Sequence, residues 1–261
     1  MALSMVSAPR AFGGDKVIAA ALVAASLAGF GDPAIAAPSW VQKALTLGRS
    51  GDRQIAAPTT ARYLSDEGGG FILDRSGRVA LLKFDDSPEV WVLFPSRGPR
   101  GDMIYVNDLG EPFLRATKLG GMTVFTTRRP EGSAVALVGP SGPLRLSPLG
   151  PVALYQRLYQ ASVRSTRAAQ HQVGFDVPDA DINSDGLIAD AAGLAVDAMV
   201  TLSGRAGGKA VLARIGKVAL IPGPRPGVGV RAGVVVITVA PALGIAGRPS
   251  SERILRALGS K

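Results

Sequence analysis

Between Phe71 and Phe125 the apolar residues fall in short alternating runs, most of them closed by a turn that contains glycine. Phe71-Ile72-Leu73 and Val79 to Phe84 flank Asp74-Arg75-Ser76-Gly77, a hairpin whose turn Gly77 can close in the left-handed region that glycine occupies freely. After Pro88, Val90, Val92 and Phe94 lie on one face and Trp91 and Leu93 on the other, so this strand is expected to be covered on both sides. Ile104 to Val106 and Phe113 to Thr117 are joined across Asn107-Asp108-Leu109-Gly110, and Met122 to Thr126 returns after Leu119-Gly120-Gly121. Short strands at roughly ten-residue spacing predict an antiparallel β-meander, closed as a barrel or stacked as a sandwich. It continues through Ala134 to Val138, and Pro148-Leu149-Gly150-Pro151 ends it.

Beyond Pro151 the period changes from two to about 3.6. Pro151 suits a first helical position, with Leu154, Tyr155, Leu158, Tyr159 and Ser162 on one face and Arg157, Arg164 and Arg167 on or near the other. Gly174 is a suitable left-handed cap. A second helix is predicted from Asp185-Gly186 to Gly204, and a short one over Lys209 to Ile215. Lys217 to Ile221 and Val228 to Val239 read as strands of a small antiparallel sheet, with Arg231-Ala232-Gly233 as a tight turn. Pro249-Ser250-Ser251-Glu252 then caps a helix carrying Ile254, Leu255 and Leu258. The predicted fold class is α+β: a meander domain over residues 59–147, then a helix-plus-small-sheet region over 148–261 packed on it.

The first 58 residues follow another pattern. Arg10 and Lys16 precede an uncharged run from Val17 to Phe30, and Ala34-Ile35-Ala36 is a small-x-small triplet. A run this short does not span a bilayer as a helix, which takes about twenty residues, so residues 1–36 read as a secretory signal peptide cut near Ala36 or Ala37. An uncleaved anchor is the alternative. Residues 37–58 mix Pro, Gly, Ser and Arg around Trp40, Val41, Leu45 and Leu47 and read as a linker. No later run is long and apolar enough to predict a transmembrane helix; Val228 to Leu243 is broken by Arg231, two glycines and Pro241.

Charge then narrows the partners. The formal net charge is +9 with or without the signal, and it is uneven. Residues 37–150 hold 14 basic and 11 acidic groups, residues 151–261 hold 13 and 7. An exported protein with such a C-terminal excess meets anionic envelope material rather than nucleic acid, and the candidate contacts are Arg157, Arg164, Arg167, Arg225 and Arg231. Arginines also outnumber lysines 22 to 7, a bias that coding composition alone can produce. The interleaved basic and aromatic pattern of a nucleic-acid reader is missing. With no cysteine, thiol catalysis and zinc-thiolate sites are excluded.

No catalytic constellation stands out, and no cofactor is implied. The single histidine, His171, sits at a predicted helix end; no G-x-S-x-G elbow exists, since Gly139-Pro140-Ser141-Gly142 puts proline where the nucleophile turn needs a free backbone. Asp66-Glu67 and Asp85-Asp86 are adjacent carboxylates, but turn neighbours point apart more often than together. Asp181, Asn183 and Asp185 with Gly186 match the first half of a calcium loop, yet Ala192 stands where the closing carboxylate belongs. The string reads better as an Asn-Ser-Asp-Gly turn capping the next helix.

Asp66-Glu67-Gly68-Gly69-Gly70-Phe71, Arg97-Gly98-Pro99-Arg100-Gly101-Asp102, Asn107-Asp108-x-Gly110, Leu119-Gly120-Gly121-x-x-Val124-Phe125 and Gly247-Arg248-Pro249-Ser250-Ser251 together resemble an exported domain-of-unknown-function family of Gram-negative bacteria. The resemblance implies periplasmic residence and carries no activity, substrate or site. Two functions remain open: a non-enzymatic envelope binding or accessory protein, and a hydrolase acting on an envelope polymer. A pocket holding two inward carboxylates would favour the second; a filled barrel with a basic exterior would favour the first.

Overall fold

A computed structural model of the chain describes residues 58–66, 68–178 and 184–260. The signal-like segment, residues 37–57, and Asp181 and Asn183 of the calcium-like string lie outside them. Eight strands form an antiparallel barrel in chain order: β1 (Thr60–Ser65), β2 (Gly70–Asp74), β3 (Ala80–Phe84), β4 (Val90–Arg97), β5 (Met103–Val106), β6 (Pro112–Ala116), β7 (Met122–Thr126) and β8 (Arg129–Pro140). β8 returns to β1, pairing Leu137 with Tyr63 and Ala136 with Leu64, so the sheet closes and no strand edge is left free. The meander is therefore a barrel, and the fold is α+β as the pattern predicts.

Alternation puts Ala61, Tyr63, Phe71, Leu73, Leu82, Leu93, Leu114 and Val124 inside. The outer face of β4 is covered only in part, with Val92 buried and Phe94 exposed. The first hairpin closes by another device than a left-handed Gly77, whose φ is not positive. The Asp74 carboxylate accepts hydrogen bonds from Thr60 Oγ1 (2.9 Å), Ser76 Oγ (2.6 Å), Ser76 N (2.9 Å) and Leu144 N (2.9 Å), tying the turn to the chain that leaves the barrel. Burial pushes Asp74 up, but the bonds from Ser76, Leu144 and Thr60 outweigh it and hold the carboxyl below its ordinary range.

After the barrel come α1 (Pro151–Ala169), β9 (Gly174–Asp176), α2 (Asp185–Ser203), α3 (Gly208–Leu212), β10 (Lys217–Pro222), β11 (Gly227–Arg231), β12 (Val234–Val239), a 3₁₀ segment over Pro241–Gly247 and α4 (Ser251–Gly259). The buried stripe of α1 is Leu154, Leu158, Ala161, Ser165 and Ala169, one position away from Tyr155 and Tyr159, which are each 72% exposed. Gln170 at φ 61° ends the helix, and Gly174 instead opens β9. Each His171 ring nitrogen faces a backbone carbonyl, Nδ1 that of Ala169 (3.1 Å) and Nε2 that of Ile215 (2.9 Å), so the ring ties the end of α1 to the approach to β10. α2 is apolar nearly all round and is long and apolar enough to cross a membrane by length and composition. Here it is the central core helix, with eleven of its nineteen residues buried.

The small sheet departs from the antiparallel expectation. Its order is β11-β12-β10-β9, with β10 parallel to both β9 and β12 and only β11–β12 antiparallel. The helices α2 and α3 carry the chain from β9 back to the same end before β10 begins, which makes that pair parallel. The Pro222 to Pro226 loop then skips one position, and β12 fills it from the β11 hairpin.

Candidate functional site

The barrel interior is packed with aliphatic side chains at one end and with rings that border an open pocket at the other. Toward the filled end Leu73, Ala80 and Leu93 are buried, and Met103, Ala116 and Met122 pack against them. Toward the other end a layer of rings crosses the barrel: Tyr63 stacks on Phe71 (centroids 5.5 Å), Phe71 meets Phe84 edge-on (5.8 Å), Phe84 meets Phe113 (6.0 Å) and Phe113 meets Trp91 (4.8 Å). At this end lies an open pocket of about 1180 Å³ that takes in the edges of Phe71, Phe84, Trp91, Phe113, Val124 and Ser133, the loops at residues 68–70, 85–87, 107–112 and 126–130, and the outer-face residues Pro99, Ile104, Arg115 and Phe125, so that part of its volume lies outside the barrel.

The rim is polar. Arg62 grips Asp85 with two hydrogen bonds (3.0 and 2.5 Å), and this ion pair lies across Gly70, where a Cβ would come within 2.2 Å of Asp85 Oδ2. A side chain at position 70 would have to displace that ion pair. Asp86 faces Arg128 at 3.9 Å. Adjacent in sequence, Asp85 and Asp86 thus engage different arginines; Asp66, for its part, accepts from the neighbouring Ser65 hydroxyl.

The carboxylates that do converge are 141 positions apart. Asn107 Oδ1 accepts from Leu109 N (3.0 Å) and Glu111 N (2.9 Å), which folds the β5–β6 loop with Gly110 at φ 79°. Its Nδ2 donates both to Glu252 Oε2 (3.1 Å) and to Glu111 Oε2 (3.4 Å). Glu252 arrives from the first turn of α4, which is clamped on the barrel rim. Asp108 accepts from Ser250 N (2.9 Å) and Ser250 Oγ (2.6 Å), while Glu89 accepts from Ser251 N (3.0 Å) and Ser251 Oγ (2.5 Å). Ser250 Oγ caps Arg253 N (3.1 Å), Arg256 pairs with Glu111, and buried Arg248 reaches the Val90 carbonyl (2.8 Å) and Asp190.

These surroundings split the two carboxyls. The Arg256 hydrogen bond holds Glu111 below its ordinary range against some burial. Burial first, then the charge of Glu111, raises Glu252 above its own, with Asn107 lowering it, Asp108 adding to the rise and Arg256 opposing it. Burial likewise raises Glu89, against the bonds from Ser251 and the charge of Arg248. The two carboxyls at the mouth are therefore shifted in opposite directions, Glu111 down and Glu252 up.

The residues singled out in the sequence fall elsewhere. Arg157, Arg164 and Arg167 are exposed on α1, with Arg164 bonded to Asp197 (2.8 Å), Arg225 is exposed in the β10–β11 loop and Arg231 at the end of β11. They are spread over a helix, a loop and a strand end, and none of them lines the cavity. Asp185 opens α2 as a buried first-turn residue, one of its oxygens without a hydrogen-bond partner. Among the described residues no group of three or more His, Asp or Glu is placed to hold a metal. The signal for the rim was present in two separated motifs, Asn107-Asp108-x-Gly110 and Gly247-Arg248-Pro249-Ser250-Ser251, which the fold brings into one contact. No curated protein and no solved structure matches the chain. A family model covers residues 41–258, both motifs included, and by that match the chain belongs to a family described as a domain of unknown function (DUF4908).

Proposed function

We propose that the chain is an exported, non-enzymatic binding protein of the periplasm and cell envelope, and that the open end of its barrel is where a ligand lies. The observation that carries the reading is the open pocket at one end of the barrel. An eight-stranded barrel is just wide enough to be filled by side chains or to hold one small ligand, and this one does the first at one end and borders an open pocket at the other. Export rests on Arg10, Lys16, the Val17 to Phe30 run and Ala34-Ile35-Ala36. The exposed arginines of the C-terminal region are available for a weaker, separate contact with an anionic envelope component.

The test is saturable binding of the neutral fluorophore N-phenyl-1-naphthylamine. Ser133 is buried and lines the cavity, so Ser133→Phe should fill it. The wild type should bind about one equivalent and rise in Tm, and Ser133→Phe should bind at least tenfold more weakly while staying folded. Absence of saturation, or equal binding by the filled variant, would overturn the reading.

A second reading, a hydrolase acting on an envelope polymer, is favoured by the Glu111 and Glu252 pair, which one amide nitrogen joins and whose pKa values are driven apart. It ranks below binding because Arg256 occupies Glu111, the group that would act as base or nucleophile. Release of soluble fragments from isolated peptidoglycan, abolished by Glu252→Gln, would reverse that order.

A further inference from the structure

We propose that the barrel mouth selects an amphipathic cation, its apolar body against the ring layer and its ammonium group at Glu252. The inference rests on the barrel-mouth reading and concerns the charge that the mouth accepts. Among the described residues four carboxylates line the cavity, and three of them already face an arginine: Asp85 has Arg62, Asp86 has Arg128 and Glu111 has Arg256. Glu252 faces no arginine at bonding distance, and the hydrogen bond it accepts comes from the neutral amide of Asn107. It is half-buried, and its neighbours Glu111 and Asp108 are themselves acidic.

Among the described residues an anionic ligand would meet few cations. Of the two arginines lining the cavity, Arg115 is held by Asp102 with two hydrogen bonds (2.8 and 2.5 Å), and Arg128 stands beside Asp86. The positive end of α4 is covered as well, because Ser250 N, Ser251 N and Arg253 N already donate to Asp108, Glu89 and Ser250 Oγ. A neutral ligand would gain the ring layer but leave the Glu252 charge uncompensated in partly dry surroundings. An alkylammonium satisfies both, since a cation is drawn to an aromatic face within about 6 Å and to a carboxylate alike.

A linked proton follows from the same arrangement. Burial and Glu111 favour protonated Glu252, while a bound ammonium favours its anion, with Asn107, Asp108 and Arg256 unchanged around it. Affinity for the cation should therefore rise with pH as Glu252 ionises, and affinity for a neutral chain should not.

The experiment compares decyltrimethylammonium, n-decanol and decyl sulfate, all below micelle formation, by calorimetry on the full chain. The ammonium should bind at least tenfold more tightly than decanol, and the sulfate more weakly than either. Glu252→Gln keeps an oxygen for Asn107 and should bring the ammonium down to the decanol level while leaving decanol binding unchanged. Equal binding of decanol and ammonium, tightest binding of the sulfate, or a Glu252→Gln protein that keeps the ammonium preference would each overturn the inference while leaving the barrel-mouth reading standing. If none of the three binds, the reading beneath it fails too.

Discussion

The two halves of this protein solve the problem of an interior in opposite ways. The barrel buries Tyr63, Phe71, Trp91, Tyr105 and Phe113 and borders an open pocket at one end, whereas the helix and sheet region is packed with Ala, Val, Leu, Ile and Met. Small residues on α2, among them Ala191, Ala192, Ala195 and Ala198, let neighbouring elements approach closely. Gly247 goes further, since a Cβ there would stand 2.1 Å from the Ala240 carbonyl oxygen. The filled half thus acts as a rigid support, and what it holds in place is Arg248 and the first turn of α4 at the mouth of the barrel.

The sharpest test of the contrast is to cut a hole in each half. Leu220 on β10 is fully buried, and Leu220→Ala should cost about 4 kcal/mol, within a usual range of about 2–5 kcal/mol, because its surroundings cannot collapse. Phe84 borders the cavity and is only partly buried, so Phe84→Leu should cost less than about 1.5 kcal/mol. Urea unfolding measures both. Equal losses would mean that the barrel is as tightly packed as its partner.

The next effect separates the halves. The two cores are distinct clusters, and the contact between them at the mouth is polar. The Arg248 side chain is 1% exposed, and Arg248→Met would leave the Val90 carbonyl and Asp190 without it. Breaking a buried pair costs about 3–5 kcal/mol, and with Asp190 a quarter exposed the lower end, about 3 kcal/mol, is expected. Ring and far-ultraviolet signals should then unfold at different urea concentrations. One coincident transition with wild-type midpoint would show that the seam does not couple the halves.

The sequence disclosed the two halves unequally. Strands β2 to β7 were legible because alternation and glycine turns are local, and so was α4, whose cap Ser250 directly precedes its apolar positions. Closure of the barrel was not, since β1 pairs with β8 across more than seventy residues and nothing in Thr60-Ala61-Arg62-Tyr63 names its partner. β9, three residues long, is too short to show a period, and the parallel pairing it makes depends on where two helices deliver the chain. Tyr155 and Tyr159 misled because aromatic rings at helical spacing read as core, while smaller Ala161 and Ser165 take the inner stripe. At the site, the turn chemistry of Asn107 and the capping serines were visible separately. That Glu111 and Glu252 share one amide is a tertiary fact that no local pattern contains.

A smaller effect distinguishes the ends of the barrel by pH. Asp74 at the filled end is held below its ordinary range, so its contribution is present above the unfolded value and lost as pH falls through the folded one. Glu89 at the mouth is raised, so its folded state holds the proton more strongly and its contribution falls as pH rises from the unfolded to the folded value. Measured from about pH 3 to pH 7, the deficit of Asp74→Asn relative to wild type should grow with pH and that of Glu89→Gln should shrink. Slopes of the same sign would mean that one of the two environments is misread.

The smallest effect on stability falls on the charge difference between the halves. Arg157, Arg164 and Arg167 are exposed on α1, and the Arg164–Asp197 pair, with side chains 54% and 35% exposed, is of the kind worth about 0–1 kcal/mol. Replacing all three with Gln should therefore leave the unfolding midpoint nearly unchanged, so a lost interaction cannot be blamed on misfolding. If the +6 of residues 151–261 serves an anionic envelope component, co-sedimentation with isolated envelope fragments should fall steeply as salt is added, because exposed charges are screened beyond about 8–10 Å at ordinary ionic strength. The triple variant should bind weakly at low salt and respond little to more of it. Wild-type sedimentation by that variant, or sedimentation that salt does not touch, would make these arginines a matter of composition and leave the barrel mouth as the binding surface of the molecule.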